Sequence, residues 1–198
     1  MTLRLLLGTA NAGKVAELRR ILAGLDLDLV SLDDLSERPP DPVEDAPTYR
    51  ETAIHKAETY LLATGIATVA DDSGLEVDAL GGAPGVRSRR YFGDDVPAER
   101  RNAMLLGLLD GVEDRGARFV CVVALAIPDG GTEPFDGEVR GEIALAPSGS
   151  NGFGYDPVFV IAGDGRTMAE LPDDEKDRIS HRGLAVARLR ARLGGEPR

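Results

Sequence analysis

Four short polar clusters hold most of the residues that could do chemistry in this 198-residue chain. The first spans residues 9–14 (Thr-Ala-Asn-Ala-Gly-Lys), and the second spans residues 71–74 (Asp-Asp-Ser-Gly). The third, residues 148–157, places two aromatic rings between glycines, and the fourth, residues 174–183, contains Lys, Ser, His and Arg. Together they offer donors for anions, paired carboxylates for a cation or a water molecule, and rings and donors for a planar polar ligand.

The first cluster has the composition of an anion site. It follows an apolar strand pattern and precedes Val15, Leu18 and Leu22, which have helical spacing. The free N–H groups and the dipole of a helix N-terminus, together with the ammonium group of Lys14, favour phosphate oxygens at this place. An exposed turn with a solvated lysine is the alternative interpretation.

The second cluster is acidic and is predicted to form a turn at the end of a strand, where ligand sites of α/β proteins collect. Adjacent carboxylates point to different sides, so one of Asp71 and Asp72 can hold a metal while the other is fixed by the protein. Oxygen ligands select hard cations such as Mg²⁺. Glu44 and Glu51 could add oxygens to the same cation, although acidic loops often serve solubility alone.

The third and fourth clusters point to a planar polar ligand. A ring such as Phe153 or Tyr155, presented by a glycine-rich loop, is suited to stack on a base, unless both rings pack into the core. Ser180, His181 and Arg182 present a hydroxyl, an imidazole and a guanidinium at a helix start, which suits recognition of the edge of a heterocycle.

Composition excludes several other functions. The two histidines and the single Cys121 offer no zinc-ligand spacing, no disulfide and no catalytic triad, and Cys121 is expected to be a buried apolar residue. A net charge of −11 disfavours nucleic acid as a partner. Without a membrane-length apolar run or a signal-peptide pattern, we expect a cytoplasmic protein. Of 23 basic residues only Lys14, Lys56 and Lys176 are lysines, and two of these fall in the clusters.

The elements that must position these clusters form a mixed α/β pattern. Strands are predicted over residues 3–7, 27–32, 66–70, 117–127, 132–146 and 158–161, and helices from about residue 15 to 22 and over residues 48–63, 97–109 and 180–193. No repeat or linker interrupts the pattern, so we expect a single domain over residues 1–198. Since the strands do not simply alternate with helices, a doubly wound fold is not expected.

The clusters, in this order, resemble the inosine/xanthosine triphosphate pyrophosphatase family, whose members hydrolyse aberrant purine nucleoside triphosphates. The resemblance rests on residues 9–14, 70–75, 82–86, 152–157 and 180–183 and covers nearly the whole chain. It implies an elongated mixed-sheet α/β domain of two lobes with the active-site cleft between them, acting as a homodimer. It also implies Mg²⁺ as cofactor, and ITP, dITP or XTP as substrate, cleaved to the monophosphate and pyrophosphate.

The same resemblance implies roles for individual residues. Asp72 would be the catalytic carboxylate and, with Glu44, a metal ligand. Substrate would be bound by Thr9, Ala10, Asn11, Ala12, Gly13, Lys14, Ser73, Phe153, Gly154, Tyr155, Asp156, Lys176, His181 and Arg182.

Some positions leave alternatives open. Ala10 stands where the family commonly has glycine, and Thr52 stands where it has asparagine. Arg89 and Arg90 could bind phosphate or lie at a dimer interface. The competing functions are a regulator that binds a nucleotide without turnover and a related pyrophosphatase that acts on pyrimidine or modified nucleotides. Carboxylates beside phosphates argue against the regulator, since they help a polyanion only through a cation.

Overall fold

The computed structural model describes residues 2–194 as six strands and five α-helices. The strands are β1 (Leu3–Leu7), β2 (Leu27–Ser31), β3 (Ala67–Val77), β4 (Gly116–Ile127), β5 (Gly131–Ile143) and β6 (Phe159–Ile161). The helices are α1 (Ala12–Leu22), α2 (Tyr49–Thr64), α3 (Ala98–Leu108), α4 (Asp173–Ile179) and α5 (His181–Arg192). None of these helices combines the length and the apolar composition needed to cross a membrane.

The six strands form one mixed sheet in the order β2-β1-β3-β4-β5-β6. β1 runs parallel to β2, with Leu3 opposite Leu27, and also parallel to β3, with Leu7 opposite Val69. β5 and β6 are antiparallel. The mixed α/β class expected from the sequence is therefore confirmed.

The chain divides into two compact units, of which the first comprises Met1–Asp72, Cys121–Gly137 and Arg182–Arg198. Its main core is built from Leu5 and Leu7 of β1, apolar residues of α1, the start of β3, alternate positions of β4 and one face of α5. In α1 the buried residues include Leu18, Ile21 and Leu22, which is the helical spacing that predicted this helix. Cys121 is fully buried in this core, as expected.

The second unit comprises Ser73–Val120 and Glu138–His181. Its core joins Leu75 and Val77 of β3 to Leu105 of α3, with Tyr155 and Phe159 from the region of the third cluster.

Two local predictions were wrong. The second cluster was expected in a turn, but β3 continues through Asp71, Asp72 and Ser73 to Val77. Asp71 is tolerated inside this strand because Lys14 and Arg182 pair with it, as described below. The fourth cluster was expected at the start of a single helix, whereas residues 173–179 form a separate helix, α4, that ends before α5 begins at His181.

Candidate active site

Asp71 is the centre of a buried ionic cluster on β3. It is 0% exposed, and its Oδ2 lies 3.0 Å from Nζ of Lys14 and 3.1 Å from a guanidinium nitrogen of Arg182. Burial alone would raise the pKa of Asp71, but the charges of Lys14, Arg182 and Lys56 outweigh it and hold this pKa well below its usual range. Asp71 is therefore a fixed anion that organises cations around the strand.

Asp72, its neighbour, has the opposite electrostatic character. It is 9% exposed, and burial raises its pKa to about 6, although Lys14 and Lys56 act to lower it. The nearby charges of Asp71 and Glu44 add to the increase. A carboxylate with a pKa near neutrality is suited to accept a proton or to receive a cation.

Lys56 is a member of this site that no sequence motif indicated. It projects from α2, is 6% exposed, and places Nζ 2.6 Å from Oε1 of Glu44 and 3.1 Å from the carbonyl oxygen of Asp71. Burial lowers the pKa of Lys56, but Asp71 and Glu44 outweigh it, so that the net pKa is raised and the side chain stays charged. The signal that could have found it was the rarity of lysine in this chain.

The first cluster forms the entrance to α1, as its pattern predicted. Asn11 is the N-cap, and its side-chain oxygen accepts hydrogen bonds from the backbone N–H of Gly13, at 2.9 Å, and of Lys14, at 3.2 Å. The hydroxyl of buried Thr9 accepts a hydrogen bond from the N–H of Asn11. These side chains fix the backbone of the loop and send the Lys14 side chain towards Asp71.

Arg182 lies in the same unit as Asp71, buried on the first turn of α5. Its Nη1 is 2.6 Å from Oε2 of Glu17, an acidic residue of α1 that is itself 3% exposed. Glu17, Arg182, Asp71 and Lys14 thus form a continuous ionic chain. The sequence pattern did not indicate Glu17, because the partner that explains its burial is far away along the chain.

Glu51, the other acid considered for a metal, acts at the start of α2. Its carboxylate accepts a hydrogen bond from the hydroxyl of Thr48 at 2.8 Å, and its N–H donates to that hydroxyl at 3.1 Å. The Thr48 hydroxyl thus caps the helix and stabilises its first turn. Of the two acids, Glu44 is the one that contacts Lys56.

The third cluster contains a second site, in the second unit. Oδ2 of Asp156 accepts hydrogen bonds from the N–H of Phe153, at 2.8 Å, and from Nζ of Lys176, at 2.7 Å. That ammonium group also lies 4.9 Å from the centre of the Phe153 ring. Gly152 has a φ of +75°, and a β-carbon there would lie 2.1 Å from the Asp156 carboxylate, so the packing requires glycine.

The two aromatic rings of the third cluster have different environments. Tyr155 is buried, its hydroxyl donates to the carbonyl oxygen of Ser88 at 3.0 Å, and burial raises its pKa to about 12. Phe153 is only half-buried. The core interpretation is therefore confirmed for Tyr155, whereas part of the Phe153 ring stays exposed. His181 is buried and stacks on Phe119, with ring centres 4.6 Å apart.

Comparison with known proteins places the chain among close relatives. It matches the Ham1 family over residues 5–192. It is 47% identical over 193 residues to the dITP/XTP pyrophosphatase of Geobacter sulfurreducens, covering 96% of each chain. Among solved structures, a HAM1 protein from Coxiella burnetii has a TM-score of 0.88 at 40% identity, with 97% of this chain and 98% of that chain covered. A nucleoside-triphosphatase (dITP/XTP pyrophosphatase) from Mycobacterium abscessus has a TM-score of 0.73 at 45% identity, with 94% and 98% covered.

Proposed function

The chain belongs to the Ham1 family, and we propose from this membership that it hydrolyses noncanonical purine nucleoside triphosphates, namely ITP, dITP and XTP, to the monophosphate and pyrophosphate. It is accordingly a hydrolase acting on phosphoric anhydrides. The observation that carries the chemistry is the environment of Asp72. This carboxylate is buried, its pKa is raised to about 6, and it interacts electrostatically with Lys14 and Lys56.

The proposed reaction is attack of water on the α-phosphorus. Asp72 orients the water and takes its proton, an oxygen–phosphorus bond forms, and the bond from the α-phosphorus to the bridging oxygen breaks, releasing pyrophosphate. Lys14 and Lys56 supply positive charge next to this carboxylate, where the transferring group becomes more negative. Residues 9–13 shape the N-terminus of α1, whose backbone donors favour phosphate oxygens.

Asp72 and Glu44 are the residues proposed to hold Mg²⁺. Within residues 2–194 no three His, Cys, Asp or Glu side chains are grouped to hold a metal ion by themselves. Mg²⁺ sites of nucleotide enzymes, however, use one or two carboxylates together with substrate phosphates and water. Two further observations fit a cation: Asp71 and Glu44 raise the pKa of Asp72, and Oδ1 of Asp71 has no hydrogen-bond partner in the described part of the chain. Bound Mg²⁺ supplies positive charge to the phosphate oxygens.

The second unit is proposed to bind the base. The exposed part of the Phe153 ring offers a stacking surface, supported by Gly154, Tyr155 and Asp156, and Lys176 offers a donor beside it. A donor that faces the 6-oxo group of hypoxanthine or xanthine would face the 6-amino donor of adenine, leaving a buried donor unpaired. Ser73 and His181 stay candidate contacts. Arg182, already paired with Asp71 and Glu17, is proposed to act through Asp71.

Hydrolysis of ITP in ¹⁸O-labelled water tests this proposal. We expect IMP carrying one ¹⁸O, unlabelled pyrophosphate, and loss of turnover with EDTA that Mg²⁺ reverses. Label in the pyrophosphate, or IDP and phosphate as products, would contradict attack at the α-phosphorus. Full activity in EDTA would contradict the role given to the cation, and no turnover at all would favour a nucleotide-binding regulator.

The resemblance supports three further proposals about the whole protein. We propose that residues 1–198 act as one domain, that two copies form a homodimer, and that the enzyme works in the cytoplasm on the free nucleotide pool, without a nucleic acid or membrane partner.

A further inference from the structure

We propose that Asn102, a residue of α3 outside all four clusters, is a positioning residue for the loop that carries Phe153. This inference rests on the proposed function, because it concerns the surface offered to the base. Asn102 is 4% exposed, and its Nδ2 donates a hydrogen bond of 3.1 Å to the carbonyl oxygen of Gly154, the residue next to Phe153. A side chain 52 positions away therefore fixes the backbone of this loop.

The loop needs such an anchor because of its backbone conformation. Gly152 and Gly154, on either side of Phe153, have φ values of +75° and +66°. Glycine has more conformational freedom than any other residue, so two glycines around one ring leave that ring poorly fixed unless other contacts hold it.

Three successive residues of the loop each take part in a hydrogen bond that involves a side chain. The N–H of Phe153 donates to Asp156, the carbonyl of Gly154 accepts from Asn102, and the hydroxyl of Tyr155 donates to the carbonyl of Ser88. Of these partners, Asp156 lies within the same cluster. Asn102 contributes through its side chain from a separate helix, so it can be changed without altering the loop sequence.

The oxygen atom of the Asn102 side-chain amide also favours a positioning role. Its Oδ1 is buried and has no hydrogen-bond partner among the residues that the structure describes. A buried amide oxygen without a partner is unfavourable for folding, whereas an apolar residue of the same size would avoid this cost. The position thus holds a residue that stability alone does not favour, while its donor meets Gly154.

The expected consequence is a change in KM rather than in kcat. A stacking surface that is already ordered binds the base without a further loss of entropy, and a mobile one does not. The variant Asn102→Leu keeps the approximate size of the side chain and removes the donor. We expect its KM for ITP to rise about three- to tenfold, the range that corresponds to loss of one hydrogen bond, with kcat within about twofold of wild type.

Three comparisons separate positioning from general damage. The inhibition constant of inorganic tripolyphosphate, which has no base, should be unchanged in Asn102→Leu. Ala103→Leu, an exposed change on the same helix, should leave KM unchanged. Asn102→Asp, which presents an acceptor to the Gly154 carbonyl, should raise KM at least as much as Asn102→Leu does.

Amide hydrogen exchange provides a readout that does not depend on activity. We expect faster exchange at Phe153 and Asp156 in Asn102→Leu, with a urea midpoint of unfolding that is no lower than that of the wild type. Unchanged exchange, an unchanged KM for ITP, or an equal weakening of tripolyphosphate binding would each overturn the proposal. If the wild-type protein does not hydrolyse ITP, the proposed function fails, and hydrogen exchange still decides whether Asn102 holds the loop.

Discussion

Replacing Asp72 with asparagine is expected to lower kcat for ITP by about a thousandfold or more. The amide has nearly the same shape as the carboxyl group, but it neither accepts the proton of water nor gives Mg²⁺ an anionic ligand. Pyrophosphate release under saturating Mg²⁺ and ITP measures the effect. Asp45→Asn, the same change at an exposed loop position, is the matched control and should keep full activity.

The Asp72→Asn variant is expected to be at least as stable as the wild type. The folded-state pKa of Asp72, about 6, lies above the ordinary value of 3.8. The Asp72 side chain therefore costs no stability below about pH 3.8. Its cost grows as the pH rises towards about 6 and is fully present above that pH. Asparagine removes that charge, and the free energy of unfolding at pH 8 should rise by about 1–2 kcal/mol. An inactive variant that is also much less stable would leave Asp72 a structural role only, and an active variant would remove it from catalysis.

Replacing Arg182 with leucine is expected to cost about 3–5 kcal/mol of unfolding free energy, because it removes the cation that two buried carboxylates share. Glu17 is 3% exposed and Asp71 is 0% exposed, and both pair with this guanidinium. Lys14 would keep one positive charge near Asp71, but Glu17 would lose its ion pair with the Arg182 guanidinium. Urea unfolding at pH 7 measures the loss.

The control for this change is Arg178→Leu on α4. Arg178 is about half exposed and pairs with Asp174 at 3.5 Å, one helical turn away. Exposed pairs of this kind contribute about 0.5 kcal/mol or less, so the variant should unfold at nearly the wild-type urea concentration. If Arg182→Leu is as stable as this control and only binds nucleotide more weakly, Arg182 is a ligand contact rather than part of the ionic chain.

The sequence predicted the parts of the fold that have strong apolar periodicity. β1, α1 and β4 were predicted to within a few residues, because most of their buried positions are apolar. β5 was predicted from the turn residues 128–131, which join it to β4 as a hairpin. The continuation of β3 through Asp71 was missed, since adjacent acids in a strand are normally unfavourable. Here Lys14 and Arg182 compensate the burial of Asp71, and both are distant from it in sequence.

Helix α4 was missed for a related reason. Its sequence, Asp-Asp-Glu-Lys-Asp-Arg-Ile, contains a single apolar residue, so it has no apolar stripe. Its acidic first turn follows Pro172, which is a recognisable helix start, and the buried member of the helix is Lys176. Burial of Lys176 is tolerated because its ammonium group forms an ion pair with Asp156. A periodicity of apolar residues cannot reveal such a pair.

The candidate site shows the same division between local and distant information. Motifs identified Asp72, Lys14 and Phe153, whose neighbours in sequence have chemical meaning. Lys56 and Glu17 were not identified, because each looks like an ordinary polar residue of a helix until its partner is placed beside it. All three lysines of the chain are within 3.0 Å of a carboxylate.

The ratio of kcat/KM for ITP to that for ATP, measured with Mg²⁺ on the wild-type protein, tests the central claim most directly. The two bases differ at the 6-position, where an oxo group accepts a hydrogen bond and an amino group donates one. The proposed function predicts a ratio of at least about a hundred, with XTP also preferred over ATP. Equal values for ITP and ATP would contradict an enzyme that selects noncanonical purines.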